Sequence, residues 1–461
     1  MNHQLSSTIG DQKDTEKTTL QFFSETIEVS SLSALAFFHA GEEEFTGQRF
    51  FWQNPDQTFT LVGLGHAHII ESGLNEGRFE EVDQQWKKLT QHVLTNEENV
   101  RPVLFGGFTF DPANTQSGEW DDVPEAFFAA ASYQLIIRNG HSYISTNYIA
   151  EREDAGLFQK LCKKRDELLR ASYTFEKVEY AKPIVVESTE PNKAAYLTSI
   201  EQVTNLIQKK EADKVVIARS HVLKFQEPVA SANVLAQLMN EQQNSYLFGL
   251  EYKNHFFFGA SPERLVKVQD AYAYSSCIAG SIKRGRSSDE DERLGLELYN
   301  DAKNRSEHQY VVDMIGKTFK DNCSSYSIPS QPELLKIRDI QHLFTPVEGH
   351  LKNGATILQL AKTLHPTPAL GGVPRMRAME VIRQYEPMNR GLYAAPIGWL
   401  DDRNNGEFAV AIRSALLNSN KAFLYAGGGI VADSTPQSEY EETLVKFRPM
   451  VRALGGQLDD E

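Results

Sequence analysis

The chain has 461 residues, of which 41% are hydrophobic and 24% are charged, and these proportions are typical of a globular protein with roughly two or three domain-sized units. Its formal net charge of −15 argues against a nucleic-acid-binding surface and a polybasic membrane anchor, since each needs a local excess of positive charge. The three cysteines lie far apart, at Cys162, Cys277 and Cys323, which excludes a zinc or disulfide framework and is typical of a reduced, cytoplasmic protein. We also expect no signal peptide and no membrane-spanning helix, because the sequence has no basic segment followed by an apolar core and no run of about 18 apolar residues.

The first part of the chain is rich in predicted strands. Residues 1–20 are polar, and we expect them to form a disordered tail. Within residues 21–185, RFFWQNPDQTFTLVGLG predicts two strands joined at Asn54–Asp56, and YQLIIRNGHSYISTNYI predicts a hairpin around Asn139–Gly140. A helix is predicted where apolar residues recur at helical spacing, at Phe79, Val82, Trp86, Leu89 and Val93.

A polar, proline-bearing stretch marks a boundary, after which a second region extends over residues 190–455. It begins with a predicted helix whose apolar face consists of Leu197, Ile200, Val203 and Ile207. A strand follows at once, from Lys214. Because the predicted strands cluster in runs with helices between them, we expect an α+β fold of layered antiparallel sheets flanked by helices.

The stretch KVVIARS places Lys214 at the start of a predicted strand that is otherwise apolar and rich in β-branched residues. A lysine at the end of a strand most often points its ammonium group into water. The alternative is a lysine held as a neutral amine in a partly dry pocket, where it can accept a proton. These seven residues leave both interpretations open.

A second candidate for proton transfer is Glu263, in HFFFGASPERLVKV. A carboxyl group that faces so much apolar surface should have a raised pKa, which suits a general acid. The alternative is a solvent-facing glutamate in a turn beside Arg264.

Two glycine-bearing stretches could let the backbone approach a ligand closely. In CIAGSIKRG, Ala279, Gly280 and Ser281 follow an apolar strand and form either a carboxylate cradle or an ordinary turn. In AFLYAGGGIVADS, a strand runs into Gly427–Gly429. Neither stretch has the residues of a nucleotide-binding loop or a dinucleotide fingerprint.

Three glutamates are candidates for an oxygen-coordinated magnesium site. Glu307 lies one turn before Val311 on the buried side of a predicted helix, where an unpaired glutamate is unusual. In DSTPQSEYEETLVKF, Thr435 is a predicted N-cap, and Glu439 and Glu442 share one face of the helix that follows. Two carboxylates on one helix and one on another suit Mg²⁺, whereas the alternative is a capping cluster favoured by the helix dipole.

Two cations are candidates for binding an anion. FAVAIRSALL predicts Arg413 inside an otherwise apolar strand, where its partner is either a ligand carboxylate or an internal Asp or Glu. Lys446 follows Glu442 by four residues, which predicts an ion pair along the helix.

Eight stretches, in this order, resemble the chorismate-utilising enzymes: KVVIARS, FFFGASPERL, CIAGSIKRG, KNRSEHQ, LHPTPALGGVPR, RGLYAAPIGW, AIRSALL and AGGGIVADSTPQSEYEETLVK. The resemblance spans residues 190–455, over half of the chain. Within this family the chain is most similar to the isochorismate synthases, and its long N-terminal part is similar to that of the menaquinone-pathway type. The resemblance implies the chorismate-binding fold of anthranilate synthase component I.

The resemblance also implies a catalytic pair and a metal site. Lys214 matches the family's base, which activates water for attack on ring carbon C2 of chorismate, and Glu263 matches the acid that protonates the departing C4 hydroxyl. Glu307 and Glu442 match ligands of Mg²⁺, with Glu439 acting through a water molecule.

The substrate-binding positions follow from the same resemblance. Six residues match the family's positions that bind the two substrate carboxylates: Ser281, Tyr393, Arg413, Gly427, Gly428 and Lys446. Ala279 and Gly280 precede Ser281 in the same cradle. His365 and Ala369, in HPTPAL, lie where the family lines the ring pocket.

Other chorismate enzymes use ammonia in place of water, as the anthranilate and aminodeoxychorismate synthases do, or go on to eliminate pyruvate, as salicylate synthase does. Lys214 favours water, because the anthranilate enzymes carry a glutamine there, and their tryptophan-binding leucine–glutamate–serine signature is absent from this sequence. Ala369 resembles the isochorismate synthases, whereas the pyruvate-eliminating enzymes tend to carry threonine in this region. A silent protein that binds Mg²⁺ and a carboxylate is the non-enzymatic alternative, although the complete catalytic set counts against it.

The resemblance implies few partners. They are chorismate as substrate and Mg²⁺ as cofactor, with no organic cofactor, no nucleic acid, no membrane and no obligatory glutaminase subunit. We expect a monomer or a homodimer in the cytoplasm, and the sequence leaves open whether the product feeds menaquinone or siderophore biosynthesis.

Overall fold

The computed structural model describes residues 20–114, 117–176, 178–337 and 340–457, so the tail predicted over residues 1–20 lies outside the described residues except for residue 20. Over these ranges the chain forms twenty-one β-strands and eleven α-helices. The strands are β1 (Gln21–Val29), β2 (Arg49–Gln53), β3 (Phe59–Ser72), β4 (Val93–Thr95), β5 (Val103–Phe108), β6 (Ala126–Arg138), β7 (His141–Ala150), β8 (Val185–Thr189), β9 (Lys214–Phe225), β10 (Tyr246–Tyr252), β11 (His255–Ser261), β12 (Arg264–Gln269), β13 (Tyr272–Lys283), β14 (Cys323–Ser327), β15 (Glu333–Lys336), β16 (Ile340–Leu351), β17 (Gly372–Val373), β18 (Pro396–Asp401), β19 (Gly406–Val410), β20 (Ser414–Asn418) and β21 (Lys421–Ile430). The helices are α1 (Ala34–Ala40), α2 (Glu42–Phe45), α3 (Arg78–Leu89), α4 (Ala155–Phe175), α5 (Lys193–Gln208), α6 (Ser231–Glu241), α7 (Ser288–Asn300), α8 (Ala302–Asn322), α9 (Ile357–Leu364), α10 (Arg375–Tyr385) and α11 (Pro436–Ala453).

The strands pair almost entirely in antiparallel ladders, and β1 with β4 is the one parallel pair among the described strands. In the N-terminal part, β3 lies between β2 and β6, and β6 also pairs with β5 and β7. In the second part, β9 pairs with β8, β17 and β21, while β11 lies between β10 and β20. The predicted α+β class, with large antiparallel sheets flanked by helices, is confirmed.

Backbone pairing joins the two parts of the chain. Strand β2 pairs with β10, which places Gln53 opposite Leu247, and β5 pairs with β18, which places Gly107 opposite Ile397. The N-terminal sheet therefore continues into the strands of the second part, and all the predicted site residues belong to this second part.

Most local predictions agree with the structure. The predicted hairpin turns connect β2 with β3 and β6 with β7, and the second uses positive φ angles at Asn139 and Gly140, as a tight hairpin turn requires. Helix α3 buries the predicted apolar face as far as Leu89. The prediction that Val93 extends this face is wrong: the helix ends at a C-cap on Thr90, and Val93 begins β4.

The longer helices cover the sheets through buried apolar residues. Helix α5 buries Ile200 and Val203, and α8 buries Val311, Ile315 and Phe319, in agreement with their spacing in the sequence. Within the described ranges, no helix combines the length and the apolar character that crossing a bilayer requires.

Two buried apolar clusters form the core. Consecutive residues of β2 belong to different clusters, Phe51 to one and Trp52 to the other. The same division recurs along β10, where Phe248 belongs to the cluster of Trp52 and Leu247 to that of Phe51. Since strand side chains alternate between faces, these sheets are covered by apolar groups on both sides.

Candidate active site

A cavity of about 280 Å³ brings together most of the predicted site residues. Its lining consists of Lys214, Val216, Pro262, Glu263, Ile278, Ala279, Gly280, Ser281, Lys303, Asn304, Glu307, His342, Ala369, Leu370, Tyr393, Ile412, Arg413, Gly427, Gly429, Glu439, Glu442 and Lys446. A larger cleft of about 440 Å³ lies elsewhere, beside Asn54, Trp399 and Glu407, and the predicted site residues do not line it. The smaller cavity is therefore the candidate active site.

Lys214 is the first residue of β9, and its side chain is 3% exposed. Its ammonium group forms an ion pair with Glu307 of α8, so the solvated alternative for this lysine is wrong. Gly429 of β21 makes room for it, because a Cβ at residue 429 would lie 2.7 Å from the Cε of Lys214. The requirement for glycine at this position explains part of the Gly427–Gly429 run.

Glu263 lies between β11 and β12 and is buried at the cavity wall. Its backbone is fixed on both sides, since its N–H donates to the Ser261 hydroxyl (3.1 Å) and its carbonyl accepts from the Val410 N–H (3.0 Å). Burial raises the pKa of the Glu263 carboxyl to about 8, although the charges of Arg413 and Lys214 act in the opposite direction. Near neutral pH this group therefore holds a proton that it can donate.

The predicted cradle lies inside β13 and not after a strand. Gly280 has a φ of 79°, and the register with β16 shifts between Ala279 and Ser281, so the chain bulges toward the cavity here. The Ser281 hydroxyl lies 2.8 Å from Nδ1 of His342. Burial, together with the charges of Arg413 and Lys446, lowers the pKa of His342 to about 3, which keeps the imidazole neutral.

Arg413 is not in a strand, which corrects the prediction from FAVAIRSALL. It lies in the connection between β19 and β20 at a φ of 50°, where its carbonyl accepts the Ala260 N–H (2.9 Å). This break in the strand lets the guanidinium group line the cavity. Tyr393 lines the cavity as well, and burial raises the pKa of its hydroxyl to about 12, so the phenol remains a hydrogen-bond donor.

Lys446 bridges α11 and the glycine run. Its Nζ donates to the Gly427 carbonyl (2.8 Å) and lies 2.5 Å from Oε1 of Glu442, as the four-residue spacing predicts. The neighbouring charge of Lys446 lowers the pKa of Glu442, so this carboxylate is ionised. Thr435 is the N-cap of α11, as predicted, and accepts from the Ser438 N–H (3.3 Å).

Glu307, Glu439 and Glu442 approach the cavity from two helices, and their oxygens are the donor type that Mg²⁺ prefers. Oε1 of Glu439 accepts from the Ser434 hydroxyl (2.6 Å), whereas its Oε2 is buried without a hydrogen-bond partner among the described residues. Burial raises the pKa of Glu439. In the described part of the chain, no three His, Cys, Asp or Glu side chains are gathered closely enough to hold a metal ion. The oxygen donors thus fit Mg²⁺ in chemical type, and the buried Oε2 of Glu439 is an acceptor that no described hydrogen-bond donor satisfies.

Two predicted residues lie apart from the cavity lining. His365 faces the N-terminal part, where its Nε2 lies 2.8 Å from the Phe110 carbonyl and its ring packs edge-on against Phe110. Gly428 leaves space for a neighbour, because a Cβ there would lie 2.7 Å from Oε2 of Glu439. Ala369, in contrast, lines the cavity as predicted.

Sequence reasoning missed part of the lining. The most informative omission is His342, which shares an apolar strand with Leu343 and Phe344 and contacts Ser281 across the sheet. A histidine inside such a strand is itself a signal, but one that a core histidine also gives. The other unpredicted lining residues are Val216, Pro262, Ile278, Lys303, Asn304, Leu370, Ile412 and Gly429.

Comparisons with known proteins relate this cavity to one family. The chain matches the family described as "Chorismate binding enzyme" over residues 6–455. It is 43% identical over 440 residues to the isochorismate synthase MenF of Bacillus subtilis, an alignment that covers 93% of each chain. It is 33% identical over 447 residues to the salicylate biosynthesis isochorismate synthase of Pseudomonas aeruginosa, with 94% of this chain and 90% of the other covered.

A solved structure supports the same fold. The chain resembles MenF, the menaquinone-specific isochorismate synthase from Escherichia coli, with a TM-score of 0.77, 24% sequence identity and 94% of each chain covered. At this identity the likeness is one of architecture. It matches the layered antiparallel sheets described above.

Proposed function

This chain belongs to the chorismate-binding enzymes, and we propose that it acts as an isochorismate synthase, an isomerase that converts chorismate reversibly into isochorismate. The observation that carries the proposal is the presence of a buried lysine and a buried, protonated glutamic acid in one cavity. The long, strand-rich N-terminal part and the alignment with MenF over 93% of the chain favour the menaquinone type.

The reaction needs a base and an acid at two different ring carbons. Lys214, as the neutral amine, takes a proton from a water molecule whose oxygen bonds to C2 of chorismate. The ring double bonds shift, and the bond between C4 and its hydroxyl breaks. Glu263 gives its proton to the departing hydroxyl, which leaves as water, so substrate and product have the same composition. Lys214 then carries the extra proton and Glu263 the negative charge, the correct states for the reverse reaction.

The surrounding cations and donors suit a substrate with two carboxylates. Arg413 and Lys446 supply positive charge, and the bulge at Gly280 with the Ser281 hydroxyl supplies donors next to them. Because the His342 imidazole is neutral, it orients the Ser281 hydroxyl without adding a further charge. These groups bind and orient the substrate, and Ala369 and Leu370 limit the room around its ring.

Glu307, Glu439 and Glu442 are the residues that would hold Mg²⁺. The ion would neutralise and orient a substrate carboxylate when bound. Lys214 would share the Glu307 carboxylate with a cation bound there, because its Nζ is the ion-pair partner of that carboxylate.

Product analysis tests the proposal directly. The purified protein is incubated with chorismate and Mg²⁺, without ammonia and then with it, and the products are separated by chromatography. We expect isochorismate alone, approaching an equilibrium mixture with chorismate, and no requirement for a glutaminase subunit. Salicylate with pyruvate would show that the site also eliminates, and an aminated product would overturn the role of Lys214. Binding of chorismate without turnover would identify a silent carboxylate-binding protein.

A further inference from the structure

A buried polar cluster lies behind the cavity, on the opposite side of β9 from Lys214. At its centre is Arg219, which is 0% exposed. Its Nη1 donates to Oε1 of Glu190 (2.6 Å), and its Nε donates to the hydroxyl of Thr443 on α11 (2.8 Å). The guanidinium group also lies over the ring of Tyr440 at 4.4 Å and that of Phe447 at 4.8 Å.

Helix α11 therefore has two adjacent rows of side chains, here called stripes, of which one lines the cavity and the other contacts Arg219. Glu439, Glu442 and Lys446 line the cavity. The residues one position later in each case, Tyr440, Thr443 and Phe447, contact Arg219. Because consecutive helical residues are about 100° apart around the axis, a roll of the helix about that axis moves both stripes together.

The contacts on the Arg219 side form a connected network that extends beyond Arg219, whose own Nη2 has no hydrogen-bond partner among the described residues. The Tyr440 hydroxyl lies 3.0 and 3.1 Å from the two carboxylate oxygens of Glu190, and it accepts a hydrogen bond from Lys193 (2.7 Å). Glu190 precedes α5, so the network ties α11 to β9 and to the start of α5. On the cavity side, Glu439 and Glu442 interact mainly with groups of α11 itself and of the short segment before it.

We propose that Arg219 is a positioning residue for the metal-binding face of α11. The inference rests on the magnesium site of the proposed function. A forked guanidinium group that engages a carboxylate, a hydroxyl and two aromatic rings fixes the rotation of the helix, which a single contact cannot do. Arg219 does not line the cavity, and it would act on a bound ion only through the orientation of Glu439 and Glu442.

The test measures metal binding by the full-length protein without substrate. Mn²⁺ takes the same oxygen ligands as Mg²⁺, and its bound fraction is counted from the loss of the free-ion electron paramagnetic resonance signal, with Mg²⁺ as competitor. Two variants are compared: Arg219→Lys keeps the charge and loses the fork, while Thr443→Val keeps Arg219 and removes the acceptor on α11. Both should raise the dissociation constant for Mn²⁺ by about 10- to 100-fold, the usual effect of losing the groups that support metal ligands.

The chain offers a matched control. Arg49 of β2 forms a second buried pair, with its Nη2 2.6 Å from Oε1 of Glu251 and its guanidinium group over the Phe38 ring at 4.3 Å, away from the cavity. Arg49→Lys should lower the melting temperature in the same way but leave the Mn²⁺ dissociation constant within about twofold. The proposal would be overturned if Arg49→Lys raised the Mn²⁺ dissociation constant as much as the network variants do. It would also be overturned if Arg219→Lys or Thr443→Val folded and bound Mn²⁺ as tightly as the unmodified protein. If Arg219→Lys does not fold, the Mn²⁺ dissociation constant of Thr443→Val alone tests the proposal.

The two proposals fail in different ways. If the unmodified protein binds no Mn²⁺, the magnesium site itself is refuted, and the role of Arg219 is refuted with it. If the unmodified protein binds Mn²⁺ and both network variants bind it equally well, only the positioning role is refuted.

Discussion

Replacing Glu263 by glutamine should stabilise the protein at neutral and alkaline pH while it removes the proposed catalytic acid. Burial raises the pKa of this carboxyl from 4.5 to about 8, against the opposing charges of Arg413 and Lys214. A group whose pKa is higher in the folded chain than in the unfolded chain binds more protons when folded. Its contribution to stability is therefore complete below about pH 4.5 and is lost as the pH rises to about 8. A glutamine does not titrate, so the variant avoids this loss.

The size of the effect follows from the difference in pKa. Each pH unit between 4.5 and about 8 lowers the free energy of unfolding by about 1.4 kcal/mol. Between pH 6 and pH 8 the unmodified protein should thus lose about 2 kcal/mol relative to Glu263→Gln, less than the full slope over two pH units, because the carboxyl in the folded chain is half ionised at about pH 8. Because Glu263 is 4% exposed, solvent screening removes little of this difference. Above about pH 8 the difference should level off.

Urea unfolding at pH 6, 7 and 8, followed by tryptophan fluorescence, measures the effect. Glu201→Gln, at an exposed position on α5, is the control and should give a difference that does not change with pH. In the activity assay Glu263→Gln should lose about 10²- to 10⁴-fold in kcat, since an amide cannot protonate the departing hydroxyl. A stability difference between Glu263→Gln and the unmodified protein that is constant from pH 6 to pH 8 would refute the raised pKa.

Three further substitutions test the neighbours of Glu263. Lys214→Ala should abolish water addition while chorismate still binds in the presence of Mg²⁺, and normal turnover would rule out Lys214 as the base. Glu442→Gln should shift the Mg²⁺ dependence of activity to about tenfold higher concentration, so an unchanged Mg²⁺ titration counts against its role as a ligand. Gly429→Ala should lower kcat about tenfold or more, because the new Cβ would displace the Lys214 side chain, whereas Gly73→Ala, in open space, should leave kcat unchanged.

Secondary structure can be predicted from this sequence where apolar residues recur at a regular spacing. The prediction fails where a single backbone angle determines whether a strand continues. The buried faces of α5 and α8 can be predicted from the helical spacing of their apolar residues, and the strand that begins at Lys214 can be predicted from its run of β-branched residues. The break at Arg413 could not be predicted, because every residue of FAVAIRSALL except Arg413 and Ser414 is apolar and no residue in the stretch signals the positive φ angle. The pairing of Ser281 with His342 is also invisible in one sequence, since 61 residues separate them and only the register of β13 with β16 brings them together.

Strand β9 carries both Lys214, which lines the cavity, and Arg219, which contacts helix α11. Lys214 and Arg219 are five residues apart, so their side chains leave opposite faces of the same strand. The first contacts Glu307 in the cavity, and the second anchors α11, the helix that carries Glu439 and Glu442. Because β9 is hydrogen-bonded to β21 over ten residues, from Lys421 to Ile430, the two faces are held in one register. A displacement of β9 along its axis would therefore move Lys214 and α11 together, and this coupling would keep the proposed base aligned with the proposed metal ligands Glu439 and Glu442, which come from a distant part of the sequence.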